Sequence, residues 1–292
     1  MVFMVVLSAF DYLLTKRLQA SHQREYASWN DIMHGEASAD VIIMGSSRAW
    51  AQYSPQILDS ILHMETYNIG IDGSSINRQI KKYQLYRKYN QKPSIILQNI
   101  DFFTIEITEG YERHQYFPYL WNHDFRKAIF SDEHFSLAEK VIPFYRYSNF
   151  GIRNLFKEPR MLTKGYCGNE LPWDGSELAR KKPFRFSPDS IAVEMFEKYL
   201  KVAQEEGVRV FLVFAPVYIE ATNKLENLEE MYSFYSSLAE KYSAEIIDFN
   251  FDEISMDTTF FYNATHLNRK GAELFSRKLG DELSIKFCEW NY

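Results

Sequence analysis

"VIIMGSSRAW", residues 41–50, decides how this chain reads. Four apolar residues run straight into Gly45-Ser46-Ser47-Arg48. A short apolar run without alternation is the pattern of a strand buried on both faces, as in a parallel sheet. In such sheets ligands bind at the carboxyl ends of the strands. A serine at that point, with the unbonded N–H groups of a following helix aimed at it, suits attack on a carbonyl and the oxyanion that results. Gly-Ser-Ser is also an ordinary turn composition, so the stretch takes its meaning from the rest of the chain.

Outward from it, apolar runs alternate with helical patterns. "SPQILDSIL" (54–62) reads as a helix with Ser54 at the N-cap and Pro55 at its first position. "ETYNIGIDGSS" (65–75) is a short strand entering a glycine turn, "INRQIKKYQLYRKY" (76–89) an amphipathic helix, and "PSIILQNIDFF" (93–103) a third strand. Residues 187–207 carry helix start and stop signals, with Pro188 just inside and Gly207 at the end. "VRVFLVFAPV" (208–217) is a fourth strand, 225–242 a helix, "AEIIDF" (244–249) a fifth strand, and 268–283 a last helix. This order predicts an α/β fold: a three-layer α/β/α sandwich around a five-stranded parallel sheet. Residues 104–186 break the rhythm and form an aromatic-rich insertion, too long for a plain loop and expected over or beside the strand ends.

The totals fit one globular body. The chain has 292 residues, 46% hydrophobic and 25% charged, enough for a substantial core. Its net charge of −6 offers no basic field for nucleic acid. The aromatic share, 16%, reads first as core and second as the lining of a groove for sugars or acyl chains. Cys167 and Cys288 have no metal-ligand spacing, and neither GxGxxG nor a P-loop is present, so no metal or cofactor is expected. "MVFMVVLSAFDYLL" (1–14) reads as a membrane anchor, interrupted by Asp11, with a buried N-terminal helix as the alternative, and 18–37 as a polar helix or linker leaving it; the domain proper then spans 38–292. Lys16, Arg17 and Arg24 follow the apolar run, which by the positive-inside rule favours a cytoplasmic body.

Two further stretches can meet Ser47. In "FYNATHLNRKGAELF" (261–275), His266 stands in a polar loop before the last helix, three residues after Asn263. A histidine there can act as general base to Ser47, given a partner that fixes its tautomer. At the other strand ends lie Gly73, whose backbone N–H can approach a ligand, and Asn99 and Asp101, two apart and so on one face of an extended chain. Ser47 N–H, Gly73 N–H and the Asn99 amide would make an oxyanion hole.

This order of motifs resembles the SGNH, or GDSL-type, hydrolase superfamily over about residues 38–285. That family's Gly-Asp-Ser block falls on Gly45-Ser46-Ser47 and places the nucleophile at Ser47. Its second-block glycine falls on Gly73. Its Asp-x-x-His block falls on Asn263-Ala264-Thr265-His266, where the histidine matches and the aspartate does not. Its Gly-x-Asn-Asp block matches "LQNID" only if Asn99 slips by one residue. The resemblance implies a flavodoxin-like SGNH fold and a serine esterase or O-acyltransferase working through Ser47 and His266.

The apolar start, the "GSSR" block and the "HLNRKGAELF" ending also resemble membrane-anchored bacterial proteins that acylate cell-surface polymers, as in alginate acetylation or D-alanyl transfer to teichoic acids. That likeness implies a glycan or other ester substrate carrying an acetyl or similar group, a membrane-embedded acyl-transfer partner, and a place on the extracytoplasmic face of the cell envelope. Arg48, and with it Asp101, would then contact substrate. The competing reading is a carbohydrate-binding accessory protein of the same fold, for which Asn263 is the best support.

Overall fold

A computed structural model describes residues 2–23, 26–106, 113–129, 135–148 and 162–289. The five expected strands form one parallel sheet: β1 (Val41–Met44), β2 (Thr66–Asn68), β3 (Ile95–Asn99), β4 (Arg209–Phe214) and β5 (Glu245–Asp248), in the order β2-β1-β3-β4-β5. The helices are α1 (Val2–Gln19), α2 (Ala27–His34), α3 (Ser47–Gln52), α4 (Pro55–Leu62), α5 (Ile76–Tyr89), α6 (His123–Ile129), α7 (Leu137–Val141), α8 (Ser190–Glu205), α9 (Ile219–Thr222), α10 (Leu228–Lys241) and α11 (Arg269–Glu289). A two-stranded antiparallel ribbon, β6 (Phe261–Asn263) and β7 (His266–Leu267), precedes α11.

The three layers follow from strand periodicity. Ile42, Met44, Ile96, Leu212 and Phe214 face one core, packed with Ile80 of α5, Phe196 of α8 and Tyr235 of α10. Val41, Ile43, Leu97, Phe211 and Val213 face the other, packed with Leu58 of α4 and Phe275, Leu279 and Leu283 of α11. Alternate residues of each strand therefore bury on opposite faces, which is why the runs carry no polar alternation. Each fully buried Leu or Phe contributes about 2 kcal/mol.

Helix ends differ from expectation at three points: the last helix runs on to Glu289, the helix read over 225–242 begins at Leu228, and α8 starts late. The helix read over 187–207 begins at Ser190, because the Asp189 carboxylate caps the N–H groups of Ile191 and Ala192; Pro188 lies outside it.

The N-terminal reading is corrected by packing. Tyr26, Trp29, Ile32 and Ala37 belong to the first core, so residues 18–37 are no linker. Trp29 stands edge-on to Tyr116 (5.6 Å) and Phe125 (5.4 Å), both from the predicted insertion. Much of the insertion's aromatic content is thus core. α1 is tied to the body through Asp11, 1% exposed, which accepts from Arg146 Nη2 (2.5 Å) and the Phe144 N–H (2.8 Å). Among the described residues, no helix is long and apolar enough to cross a membrane.

Candidate active site

β1 delivers Gly45 to the carboxyl edge of the sheet. Gly45 has φ +150°, and a Cβ there would meet Ala49 Cβ at 2.6 Å and Asn99 Cβ at 2.8 Å. Glycine is therefore what lets the chain turn tightly from strand into α3 and set Ser47 at the first helical position. The extension of β2 runs alongside. Ile69 N–H donates to Ile43 O (2.9 Å) and Ile71 N–H to Gly45 O (3.0 Å), which brings the turn at Gly73 (φ +65°) beside the nucleophile turn.

His266 reaches the same point from the opposite end of the sequence. Its Nε2 lies 2.7 Å from Ser47 Oγ. β6 and β7 pair Asn263 with His266 across the turn Ala264-Thr265. Asn263 Oδ1 is 2.9 Å from His266 Nδ1 and also accepts the Thr265 N–H (3.0 Å). A backbone N–H only donates, so the Asn263 atom facing the ring is the oxygen. An amide oxygen only accepts, so Nδ1 carries the proton and Nε2 is left as acceptor for the Ser47 hydroxyl. Thr265 Oγ1, 3.0 Å from Nδ1 and 3.3 Å from Asn263 Oδ1, closes the triangle.

Among the described residues, the ring's hydrogen-bond partners are Asn263, Thr265 and Ser47, and none is a carboxylate. Burial, then the charges of Arg48 and Lys181, lower the His266 pKa to about 3. The imidazole is neutral and ready to accept a proton, and the residue at its Nδ1, Asn263, brings no negative charge to stabilise the imidazolium. Tyr262 stacks on the ring at 5.4 Å.

The remaining predicted residues divide. Arg48 and Asp101 do not face a substrate. Both are buried (4% and 3% exposed) and paired, Nη1 to Oδ2 at 3.2 Å. The Arg48 guanidinium also donates to the carbonyls of Ala215 and Pro216 and to Gln52 Oε1. Asp101 accepts in addition from the Phe103 N–H (2.8 Å) and Thr104 Oγ1 (3.1 Å). Together they tie the start of α3 to the ends of β3 and β4. Asn99 is likewise corrected. It is 1% exposed, its Oδ1 accepts from Tyr53 Oη (2.9 Å) and its Nδ2 leans on Asp101 (3.4 Å), so its amide braces the floor and does not point into an oxyanion hole. Ser47 opens α3, and Gly73 lies two residues after Ile71, whose N–H donates to Gly45 O.

Three residues absent from the sequence reading hold the histidine turn. Glu177, from the insertion, accepts the Ala264 N–H (3.1 Å), and the Tyr218 N–H donates to Ala264 O (3.2 Å). Trp173 packs edge-on against Tyr218 at 5.2 Å. The only sequence signal for Glu177 was its place in a stretch expected near the strand ends. Cys167 and Cys288 are unpaired thiols. Among the described residues no cluster of His, Cys, Asp and Glu converges as a metal site.

No protein-family profile matches the sequence, and no curated protein matches it. Solved structures do. One is a protein assigned as a lipolytic member of the G-D-S-L family from Desulfitobacterium hafniense, at 10% identity and TM-score 0.45, covering 82% of this chain and 97% of that one. A second is a protein assigned as a platelet activating factor from Streptococcus pneumonia, at 14% identity and TM-score 0.44, covering 96% and 98%. A third, assigned as an acylhydrolase from Bacteroides fragilis, has 12% identity and TM-score 0.37, covering 83% and 86%.

Proposed function

We propose that this chain is a serine hydrolase of the SGNH (GDSL) type, which cleaves or transfers ester-linked acyl groups through Ser47 and His266. The observation that carries the reading is the 2.7 Å contact between Ser47 Oγ and the unprotonated nitrogen of a tautomer-fixed imidazole. Ser47 Oγ attacks the ester carbonyl while His266 Nε2 takes its proton. The N–H groups of Ser47 and Gly73 receive the oxyanion. His266 then gives the proton to the leaving alcohol, and water or a second alcohol releases the acyl group. Asn263 is a positioning residue in this scheme.

The finer reading is an acetyl or similar group on a cell-surface glycan, at the extracytoplasmic face of the envelope, with a membrane-embedded protein as acyl donor or acceptor. It is supported by the sequence resemblance. The first turns of α1 add support for membrane association, because Val2, Phe3, Val5 and Phe10 are each more than half exposed. The second reading, a carbohydrate-binding accessory protein, is favoured by the uncharged Asn263.

A fluorophosphonate probe, read by intact mass and peptide mapping, separates the two. The expected result is one adduct on Ser47, absent in His266→Ala. A folded protein that takes no adduct gives way to the accessory reading. Ser47→Ala is expected to lower ester turnover by at least about 10³-fold with an unchanged melting temperature; retained turnover sinks the assignment.

A further inference from the structure

A polar cavity of about 250 Å³ opens where the chain at 163–168, the start of α4 and the start of α11 meet. Neither Ser47 nor His266 lines it. Arg269 and Arg277 stand on its α11 wall with Glu273 between them, and Ser54 and Gln56 form the α4 wall. The two arginines less the one glutamate leave a lining charge of +1.

Tyr166 completes the lining. It is only 9% exposed, and its hydroxyl has no hydrogen-bond partner among the described residues. Burial pushes the phenol up, so the hydroxyl stays protonated and is a donor. A Cβ on Gly168 would meet Tyr166 Oη at 2.8 Å and Arg269 Nε at 2.9 Å. Hydroxyl and guanidinium thus both pack against Gly168, on one wall of the cavity. The start of α4 adds donors. Pro55 occupies the first turn and the Ser54 side chain makes no cap bond, so that side chain leaves the N–H groups of the turn to other partners. The ion pairs already present, Arg269 to Glu170 (2.5 Å) and Arg277 to Glu273 (3.6 Å), are solvent-exposed and cheap to exchange.

We propose that this cavity binds an oxyanion (a phosphate, sulfate or carboxylate group), with Tyr166 donating to it, Arg269 and Arg277 supplying charge and the first turn of α4 supplying N–H groups. A buried donor with no partner among the described residues, packed with Arg269 against Gly168, gains an acceptor from such a ligand. Ser47 opens α3 and Ser54 follows its last residue by two positions, so the helix that carries the nucleophile leads into the cavity wall. The binding does not depend on the catalytic reading, and its test does not use turnover.

The full chain carrying Ser47→Ala is titrated by calorimetry with sodium phosphate, and separately with trigalacturonate, at constant ionic strength. Saturable binding of at least one probe is expected, weakened about tenfold or more by Tyr166→Phe and by Arg269→Gln, and unchanged by Lys201→Gln on the remote surface of α8. Phosphate binding alone identifies a free-anion site; binding of trigalacturonate without phosphate identifies an acid group carried on a glycan. Absence of saturable binding by both probes overturns the proposal, as does binding that Tyr166→Phe leaves unchanged. Tyr166→Phe keeps the buried ring, so it decides the matter even where Arg269→Gln fails to fold.

Discussion

Beside Ser47, Arg48 and Asp101 are ionic, buried and paired; the side chains that hold His266 Nδ1 are neutral and half-buried. On the serine side, Arg48 and Asp101 are sealed under α3 and share their remaining valences among backbone carbonyls, Gln52, Thr104 and Phe103. On the histidine side, an amide and a threonine hydroxyl touch the ring, and the Glu177 carboxylate holds the two-residue turn through the Ala264 N–H. Rigidity is thus concentrated at the nucleophile. The base receives orientation and no charge. Substitutions on the serine side should cost stability first, and those on the histidine side should cost rate first.

The largest expected effect tests the serine side. Arg48→Met leaves the Asp101 carboxylate buried and uncompensated, and should lower unfolding free energy by about 3–5 kcal/mol in denaturant titrations. A loss below about 1 kcal/mol would break the contrast. Next, Asn263→Ala frees the imidazole tautomer and should lower kcat/KM for an aryl ester by about 10²-fold, with stability changed by less than about 1 kcal/mol.

Asn263→Asp sharpens the comparison by giving the histidine side a charge. A carboxylate beside the ring raises the His266 pKa from about 3. Wild-type kcat/KM should therefore stay flat from pH 8 down to about pH 5, because His266 is unprotonated throughout. The aspartate variant should be about tenfold faster at pH 8 and lose rate as pH falls through its raised pKa. A wild-type profile that already declines near pH 6.5 would contradict the neutral-base reading. The stability sign is opposite to that of a paired histidine. The unfolded chain binds the His266 proton below its ordinary pKa of 6.5 and the folded chain does not, so this group's share of stability is complete above 6.5 and falls as pH drops toward 3.

The smallest effect concerns the floor. Tyr53→Phe removes the donor to Asn99 Oδ1 and should cost about 1 kcal/mol with little change in kcat/KM. A large rate loss without a stability loss would return Asn99 to the reacting centre.

β1 to β4 were legible in sequence because they are buried on both faces, and an apolar run bounded by turns has few other readings; β5, half-buried and ending on exposed Asp248, was legible from its place between two helices. Ser47 and His266 were legible because turn chemistry marks strand ends and the motif order marks which ends meet. The roles of Arg48, Asp101 and Asn99 were not. A polar residue at a strand end looks the same in sequence whether it faces a cleft or a partner. What sends Asn99 inward is the missing side chain at Gly45, and what neutralises Arg48 is an aspartate 53 positions away. The polar look of residues 18–37 likewise hid Trp29 and Ile32, whose burial depends on aromatics near position 120. Glu177 lies in irregular chain, where no periodicity announces a contact.

The seating of α11 on α4 has a further consequence, in the order of synthesis. Gly280 presses directly on Ile61, and Ser276 Oγ accepts the Ser54 N–H at 2.8 Å. One whole face of the sheet thus waits for a helix translated after every strand, and His266 emerges just before it. A nascent chain that already displays Ser47 has neither its base nor its second core. Reactivity and structural completion therefore arrive together, and a prematurely released chain would expose that apolar face as a surface for chaperones or proteases while remaining chemically silent.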